Sequence, residues 1–263
     1  MKKLAIYLFG IFLFSCQEEA DFNPNKFEDE VLVINGILSE NIEYQQIELS
    51  YATTINSDES KSCTTGTINL MGPSEIYTFT HIENGLYQST VPFGLIPGDD
   101  YSLNVENNAT LSSGNIKMAS PILIDSGYST GFSNASLALN SSVTQYLIYE
   151  CYYADTSEID TDTVWTKINV TSNNLEKTTI GPQNIFLRTL TDEYSIMVSN
   201  PLIKVITYTL SNEVGSYMRE LEQFSLLNST NNAYSNPPTY FTNEAYGLVY
   251  GTVKDSTIFQ VSY

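Results

Sequence analysis

The sequence predicts a mostly β protein with two β-rich domains and one helix in its C-terminal half. Short apolar runs, alternating or continuous, recur between turns that contain Gly, Pro or Asn. The chain is 42% hydrophobic and has 19 Tyr residues, and aromatic and β-branched side chains favour strands. A helical period is clear over residues 213–227. We therefore expect an immunoglobulin-like β-sandwich over residues 31–121 and a second β-rich domain over residues 122–263.

Residues 1–15 have the pattern of a bacterial lipoprotein signal peptide. Lys2 and Lys3 precede an apolar run from Leu4 to Phe14, which is too short to span a bilayer and fits a secretory signal. The run ends in Leu13-Phe14-Ser15-Cys16, where a small residue stands next to the cysteine. We expect cleavage before Cys16, lipidation of its side chain and attachment to a membrane. The alternative is an ordinary signal peptide beside a coincidental cysteine.

Residues 16–30 predict a tether rather than a folded element. They are polar, acidic and contain a proline, and such a composition cannot bury enough apolar surface to fold. The tether begins with Cys16 and continues directly into Gln17, Glu18 and Glu19.

The first domain is predicted from a series of strands separated by turns. Residues 31–38 form a continuous apolar run, typical of a buried strand, and residues 46–52 alternate, typical of a half-exposed one. Asn84-Gly85 predicts a tight hairpin, because both residue types tolerate positive φ. Further strands are predicted over residues 67–71, 76–80, 86–91 and 101–105.

The second domain is predicted from longer and less regular segments, beginning after a boundary near Pro121 to Gly131. The helix over residues 213–227 follows Ser211 and Asn212, either of which can cap it. Strands are predicted over residues 145–153, 164–170, 202–210, 247–253 and 257–263.

The charge balance argues against two classes of partner. After removal of residues 1–15, nine basic residues remain against 30 acidic ones, a net charge near −21. Nucleic-acid binding needs a basic face, and docking on anionic lipid needs a polybasic patch. We expect neither, and interpret the acidic residues, which are scattered, as a solubilising surface.

Two cysteines remain after lipidation, Cys63 and Cys151. Two cysteines in an exported protein can form a disulfide. The alternative, to which we give equal weight, is that both remain buried thiols. The sequence alone does not place the two residues near each other.

No motif predicts an enzyme. Gly127 to Gly131 match G-x-S-x-G, but the nucleophile elbow needs a histidine later in the chain, and the only histidine, His81, comes earlier. We interpret this segment as an interdomain linker, and expect His81 to be exposed beside the hairpin. Four acidic residues cluster in one loop and could bind Ca²⁺, although a solvated loop is favoured and no cofactor is expected: Asp155, Glu158, Asp160 and Asp162.

Tyrosines cluster in residues 146–153 and in residues 234–250. Tyr pairs an apolar ring with a polar tip, which suits recognition of sugars, peptides and proteins. Most of them are expected in the core. Tyr234 and Tyr240 are the better contact candidates, because they lie in a predicted loop.

The chain resembles the Bacteroidota lipoproteins of domain-of-unknown-function family 4249. Four segments carry the resemblance in order: Val31 to Gly36; Asn84 to Tyr87 with Pro97 to Leu103, typical also of transthyretin-like sandwiches; Ile124 to Ser126; and the helix from Tyr217 to Phe224 with Asn228, Asn236 to Pro238 and Tyr246 to Gly251. The resemblance implies a place beside TonB-dependent outer-membrane receptors and supplies no catalytic residues. It also makes Gln17, Glu18 and Glu19 similar to a surface-export signal, against the alternative of a generic acidic tether.

These observations together predict a lipoprotein of the outer membrane, facing outward, with no enzymatic activity. Its expected role is that of an accessory or ligand-binding partner of a TonB-dependent receptor. The alternatives are a structural surface protein or adhesin and, with less support, a surface glycan hydrolase.

Overall fold

The computed structural model describes residues 31–52, 61–129, 135–154, 163–168, 175–187, 202–231, 240–243 and 245–260. Several predicted features lie outside these residues. They are the signal peptide, the tether with Cys16, Gln17, Glu18 and Glu19, the acidic loop with Asp155, Glu158, Asp160 and Asp162, and Tyr234.

The described chain is mostly β, which confirms the predicted fold class. The strands of its first half are β1 (Leu32–Ser39), β2 (Gln46–Tyr51), β3 (Lys61–Ser62), β4 (Thr67–Met71), β5 (Ile76–Glu83), β6 (Leu86–Ser89), β7 (Asp100–Asn107) and β8 (Thr110–Lys117). The elements of its second half are β9 (Leu123–Ser129), β10 (Ala135–Ser141), β11 (Gln145–Ala154), β12 (Thr166–Lys167), β13 (Leu175–Thr178), β14 (Gly181–Phe186), β15 (Leu202–Leu210), α1 (Asn212–Asn231) and β16 (Tyr246–Gln260).

One large sheet runs through both halves of the chain. Its strand order is β12-β11-β15-β16-β1-β2-β6-β5-β4-β7-β8, with β13 paired to β11 and β3 paired to β2. A second sheet of three strands has the order β14-β10-β9. The predicted hairpin joins β5 to β6, and both of its turn residues have positive φ, 47° for Asn84 and 79° for Gly85.

The last strand, β16, connects the two halves. Its first part pairs in parallel with β1, from Tyr246 to Thr252, and its second part pairs antiparallel with β15, from Val253 to Gln260. The sequence predicted two separate closing strands here, which is wrong. The polar residues Lys254 to Ser256 resemble a turn in sequence, but their backbone is paired with β15 throughout.

The segment just before β16 covers the edge of β8. Thr242 N–H donates to the Ser113 carbonyl over 3.0 Å, and its hydroxyl oxygen accepts from Ser113 N–H over 2.9 Å. The neighbouring Phe241 is buried and packs where Gly114 has no side chain. Residues that follow helix α1 in the chain therefore cover the β8 end of the large sheet.

Among the described residues, two large hydrophobic cores are present, with a third and smaller cluster against helix α1. The first contains apolar residues from Ile34 to Ala119 together with Phe241, Ala245, Val249 and Val253. The second contains residues from Ile122 to Val205 together with Phe259, and lies between the small sheet and the large one. Residues 240–253, which the sequence assigned to the second domain, thus contribute to the first core.

Cys63 lies in the first core and Cys151 in the second, both buried. They are not joined to each other. The structure therefore has the alternative that the sequence left open, two buried thiols.

Helix α1 confirms the predicted helix and extends it at both ends. Ser211 is the cap: its hydroxyl accepts from Val214 N–H over 3.3 Å, and its carbonyl accepts from Gly215 N–H over 3.0 Å. The helix packs its first turns on Tyr146 and Leu210 of the large sheet. No helix among the described residues is long and apolar enough to cross a membrane.

The described part of the G-x-S-x-G segment, Gly127 to Ser129, belongs to strand β9 and not to a linker, contrary to expectation. Gly127 lies inside β9, paired with Leu137 of β10. A Cβ on Gly127 would stand 2.1 Å from a ring carbon of Phe259, so the glycine lets β9 approach β16 closely. The described part of the motif, including Ser129, has strand conformation, whereas a nucleophile elbow places its serine on a sharp strand-to-helix turn.

Candidate binding surface on the outer face of the second sheet region

The strands β11, β15 and β16 present two different faces. Alternate residues of β11 and β15 are buried in the second core, among them Tyr149, Cys151 and Val205. The residues between them are only half-buried and point to the opposite face, which the small sheet does not cover. Helix α1 covers one end of this outer face.

The rest of the outer face carries a cluster of aromatic and charged side chains that we call the platform. Its members are Glu150, Tyr152, Trp165, Lys167, Lys204, Tyr208 and Lys254. Strand register brings them together: Tyr152 is paired with Lys167 on one side and Lys204 on the other, and Tyr208 is paired with Lys254. Four neighbouring strands spaced about 4.8 Å apart give the platform a width of roughly 15 Å.

Glu150 lies at the centre of the platform and is held by three donors. Its Oε2 accepts hydrogen bonds from the hydroxyls of Tyr152, at 3.0 Å, and Tyr208, at 3.2 Å. Its Oε1 accepts from Lys167 Nζ. Burial alone raises the pKa of Glu150, but the hydrogen bonds from Lys167, Tyr152 and Tyr208 outweigh it, and the pKa is lowered.

The hydrogen bonds to Glu150 also fix the two tyrosines. Burial and the neighbouring Glu150 charge raise the pKa of both Tyr152 and Tyr208. The phenols therefore stay protonated and keep donating to the carboxylate. The Glu150 carboxylate stays ionised with its oxygens occupied, whereas a general acid would need a raised pKa. This arrangement suits binding better than proton transfer.

Each aromatic ring of the platform has a lysine over it from another segment of the chain. Lys167 lies 6.0 Å from the Tyr152 ring centroid, Lys204 lies 5.6 Å from that of Trp165, and Lys254 lies 5.8 Å from that of Tyr208. In each contact the ammonium group is attracted to the negative face of the ring. They hold three ammonium groups at defined places on the sheet.

The platform has the opposite charge balance from the chain as a whole. It contains three of the nine basic residues that follow residue 15, and a single carboxylate. Its own residues sum to a charge of +2, in a chain with a formal net charge of −19. Exposed apolar ring edges beside cations favour ligands that combine a ring with an anionic group.

Tyr240, a predicted contact residue, is instead used within the fold. Its hydroxyl donates to the Asn115 carbonyl, and its ring packs edge-on against Tyr217 at 5.5 Å and Phe241 at 5.6 Å. Burial, with smaller contributions from Glu213 and Tyr217, raises the pKa of Tyr240 to about 12. Tyr240 was expected to be free for outside contacts because it lies in a loop. That loop is hydrogen-bonded to the edge of β8, so the side chain makes its contacts within the protein.

His81 is exposed beside the Asn-Gly hairpin, as expected. Its Nε2 accepts from Gly85 N–H over 3.3 Å, and its ring contacts Tyr87 edge-on at 5.2 Å. Within the described ranges no group of three or more His, Cys, Asp or Glu side chains is arranged to hold a metal ion.

A concavity lies where the two halves meet the start of helix α1. It has a volume of about 260 Å³, and Lys117 and Glu213 at its rim form an exposed ion pair of 3.8 Å. Small-molecule sites usually exceed about 300 Å³ and are largely apolar. The platform therefore remains the better candidate.

The sequence contains a pattern that indicates the platform, although the platform was not predicted from it. Glu150 and Tyr152 are two positions apart in β11, and Lys204 and Tyr208 are four positions apart in β15, with mostly apolar residues around them. This period assigns them to one face. Only the pairing register of the strands brings these side chains together on one surface and places Trp165 beside them.

Comparison with known proteins places the chain in a family but assigns no activity. No curated protein matches it. Three solved structures share 9–12% identity with it. A DUF4785 family protein from Legionella pneumophila subsp. pneumophila str. Philadelphia 1 has a TM-score of 0.26, with 69% of this chain and 51% of that chain covered. The BSP domain of a biofilm associated protein scores 0.25, with 65% and 26% covered.

A tetra-tandem repeat from the extending region of a large adhesion protein scores 0.22, with 89% of this chain and 49% of that chain covered. The chain thus spans about half or less of each of these structures, and scores this low carry no functional argument. The family profile is more extensive: that of the domain of unknown function DUF4249 matches residues 17–256, nearly the whole sequence. The chain therefore belongs to the DUF4249 family.

Proposed function

We propose that this chain is a lipid-anchored, non-enzymatic binding protein of the outer membrane, facing outward, that serves as an accessory subunit of a TonB-dependent receptor. The platform is the observation that carries the binding role. It gathers cations and aromatic rings on one face of an acidic protein, and Glu150 holds two of the rings and one of the cations, Tyr152, Tyr208 and Lys167.

The anchor and tether support the accessory role. Lipidation at Cys16 would fix one end of a 15-residue tether, which reaches roughly 50 Å when fully extended. A body held this close to a membrane partner meets it at a high effective concentration, so that weak contacts suffice. The family resemblance supplies the class of partner.

The ligand of the platform is proposed to be an anionic saccharide. A pyranose ring stacks on aromatic side chains, and a carboxylate on it pairs with lysine ammonium groups. The alternative function, a structural surface protein or adhesin, needs no such ligand. A glycan hydrolase is disfavoured because Glu150, the carboxylate of the platform, has its oxygens occupied by three donors.

Binding of oligogalacturonate, compared with the neutral galactan of similar length, tests the ligand class. We expect the wild-type chain to bind the acidic oligosaccharide and Lys204→Glu with Lys254→Glu to reduce that affinity at least tenfold. Lys61→Glu is the matched control, because Lys61 also lies over a tyrosine ring, that of Tyr51 at 5.5 Å, but in the first half of the chain. Equal loss in the control, or equal binding of the neutral glycan, would contradict the proposal.

Co-purification from detergent-solubilised outer membranes tests the accessory role. We expect the wild-type chain to elute with a large barrel protein, and Cys16→Ala to leave the chain in the soluble fraction. Elution of the wild-type chain alone would leave the structural or adhesin role as the better explanation.

A further inference from the structure

Four large apolar side chains are more than half exposed at one end of the first half of the chain, and we call them the tip. They are Ile42, 82% exposed, Tyr44, 52%, Val91, 52%, and Ile96, 58%. Ile42 and Tyr44 lie between β1 and β2, whereas Val91 and Ile96 lie between β6 and β7. Single exposed apolar residues are ordinary, but several on adjoining segments mark interaction sites.

Backbone hydrogen bonds hold these two segments side by side. Glu43 N–H donates to the Phe93 carbonyl over 3.3 Å, and Phe93 N–H donates to the Glu43 carbonyl over 3.0 Å. Ser89 N–H donates to the Gln45 carbonyl over 2.9 Å. Tyr44 and Val91 lie between these two tie points, on facing segments.

The buried side chain of Gln45 clamps the tip from inside. Gln45 is 2% exposed, its Nε2 donates to the Phe93 carbonyl over 2.8 Å, and its Oε1 accepts from Ser39 N–H over 2.9 Å. The same Nε2 lies 3.2 Å from the Asn41 carbonyl. The conformation of the tip is thus set before any partner arrives, which lowers the entropic cost of binding.

The tip exposes apolar residues although the same segments bury others. Phe93 is 6% exposed and stacks on Tyr77 at 3.8 Å, and Leu95 is 1% exposed. Leu95 N–H donates to the Ser39 carbonyl over 3.0 Å, which fixes the direction of its neighbour Ile96. Phe93 and Leu95 are thus buried in the core, whereas Val91 and Ile96 of the same segment remain exposed.

The charges around the tip select among possible occupants. Residues 39–45 and 89–100 contain Glu40, Glu43, Asp99 and Asp100 and no Lys or Arg. An anionic lipid surface attracts basic segments, so this one would be repelled. A second copy of the chain, with its net charge of −19, is also a poor match.

We propose that the tip docks into an apolar cleft, rimmed by basic side chains, on a partner protein. This interface is separate from the platform, which lies in the other half of the chain, and it holds whether or not the platform binds a saccharide. Ile42 and Tyr44 would be the anchors, because rigid apolar side chains at the centre of an interface carry most of its binding energy.

Site-specific photo-crosslinking in whole cells tests the proposal on the full chain. A photoreactive residue is placed at position 42 or 91, and at position 180 as a control, since Ile180 is 71% exposed in the other half. We expect one protein adduct from positions 42 and 91 that position 180 does not form. The adduct protein is then identified and purified, and its affinity for purified variants is measured.

Ile42→Asp is expected to weaken that affinity at least tenfold and Ile180→Asp to leave it unchanged, with far-ultraviolet circular dichroism confirming that both variants fold. Adducts with lipid, adducts with a second copy, absence of any adduct, or equal effects of the two variants would each overturn the proposal. If the wild-type chain forms the tip adduct but does not bind the saccharide, the proposed function fails and this inference stands. If it binds the saccharide but forms no adduct, this inference fails and the proposed function stands.

Discussion

Gln145 joins the two halves of the chain at Ser120. It is 1% exposed, its Oε1 accepts from Ser120 N–H over 3.2 Å, and its Nε2 donates to the Ser120 carbonyl over 3.0 Å. The same Nε2 donates to Ser141 Oγ over 3.2 Å. The side-chain amide thus substitutes for a missing strand partner at the point where one core ends and the next begins.

Replacing Gln145 by leucine should lower the free energy of unfolding by about 2–3 kcal/mol, because the polar groups that it satisfies would lose their partners. Urea denaturation at neutral pH measures the change. Gln46→Leu is the matched control, since Gln46 is exposed, and is expected to stay within about 0.5 kcal/mol of wild type. Equal effects of the two substitutions would mean that the Ser120 contact contributes little.

Glu150 makes the stability of the platform depend on pH. Burial opposes its ionisation, the donors Lys167, Tyr152 and Tyr208 favour it, and the net effect is a lowered pKa. A lowered carboxyl pKa adds stability that is fully present above the ordinary pKa of 4.5 and is lost as the pH falls through the folded-state value.

The thermal midpoint of wild type should therefore exceed that of Glu150→Gln at pH 7, and the difference should shrink below about pH 4.5. Midpoints measured from pH 7 to pH 3 test this. Glu48→Gln changes an exposed carboxylate outside the platform and serves as the control. A difference that stays constant over the whole range would contradict the role given to the hydrogen bonds at Glu150.

The alternation of side chains along a strand can be predicted from sequence, but their neighbours across strands cannot. The Asn84-Gly85 hairpin and the helix cap depend on local chemistry and were predicted from it, the cap as either Ser211 or Asn212. Tyr240 was expected to make contacts outward from a loop, and only the pairing of Thr242 with Ser113, 129 residues away, explains its place in the fold. The platform was missed for the same reason.

At the scale of elements, the path of β16 depends on a glycine at a position where any side chain would be strained. Gly247 has φ +101°, and a Cβ there would stand 2.1 Å from the Ile34 carbonyl oxygen of β1. The parallel pairing of β16 with β1 therefore needs both the unusual dihedral and the absence of a side chain.

Gly181 has the unusual dihedral but not the close contact, so it allows the two requirements at Gly247 to be measured separately. It has φ +100° and nothing within 4 Å of an added Cβ, so Gly181→Ala measures the dihedral cost alone, about 1–3 kcal/mol. Gly247→Ala adds a backbone clash and should destabilise the protein by about 2 kcal/mol more. Chemical denaturation of both variants measures the difference. Equal losses would show that β1 can shift to admit a side chain.

Elements with strong patterns were predicted closely, whereas those with weak patterns were missed. Strand β15 and helix α1 have long apolar periods and lie where expected. Strand β8 reads Thr-Leu-Ser-Ser-Gly-Asn-Ile-Lys, which has no apolar run, and it becomes a strand because β7 offers it a complete ladder. This stabilisation comes from pairing with another strand, so the sequence of β8 itself does not indicate it.

At the scale of the whole molecule, the two halves are not independent. Strand β16 contributes to both cores: Val249 and Val253 belong to the first core and Phe259 to the second. The first core is also closed by Phe241, which follows helix α1 in the chain. A segment that ends at residue 121 would lack these side chains and the parallel partner of β1.

The mature chain should consequently unfold in one transition, which two probes can report separately. Trp165, the single tryptophan, reports the second half by fluorescence, and Cys63, 1% exposed in the first core, reports the first half by pulsed alkylation of its peptide. We expect both midpoints to coincide in urea and Gly247→Ala to lower both by the same amount, because unpairing β16 from β1 exposes groups in each core. Two separate midpoints, or a shift confined to Cys63, would show that the halves fold on their own and that β16 only spans them.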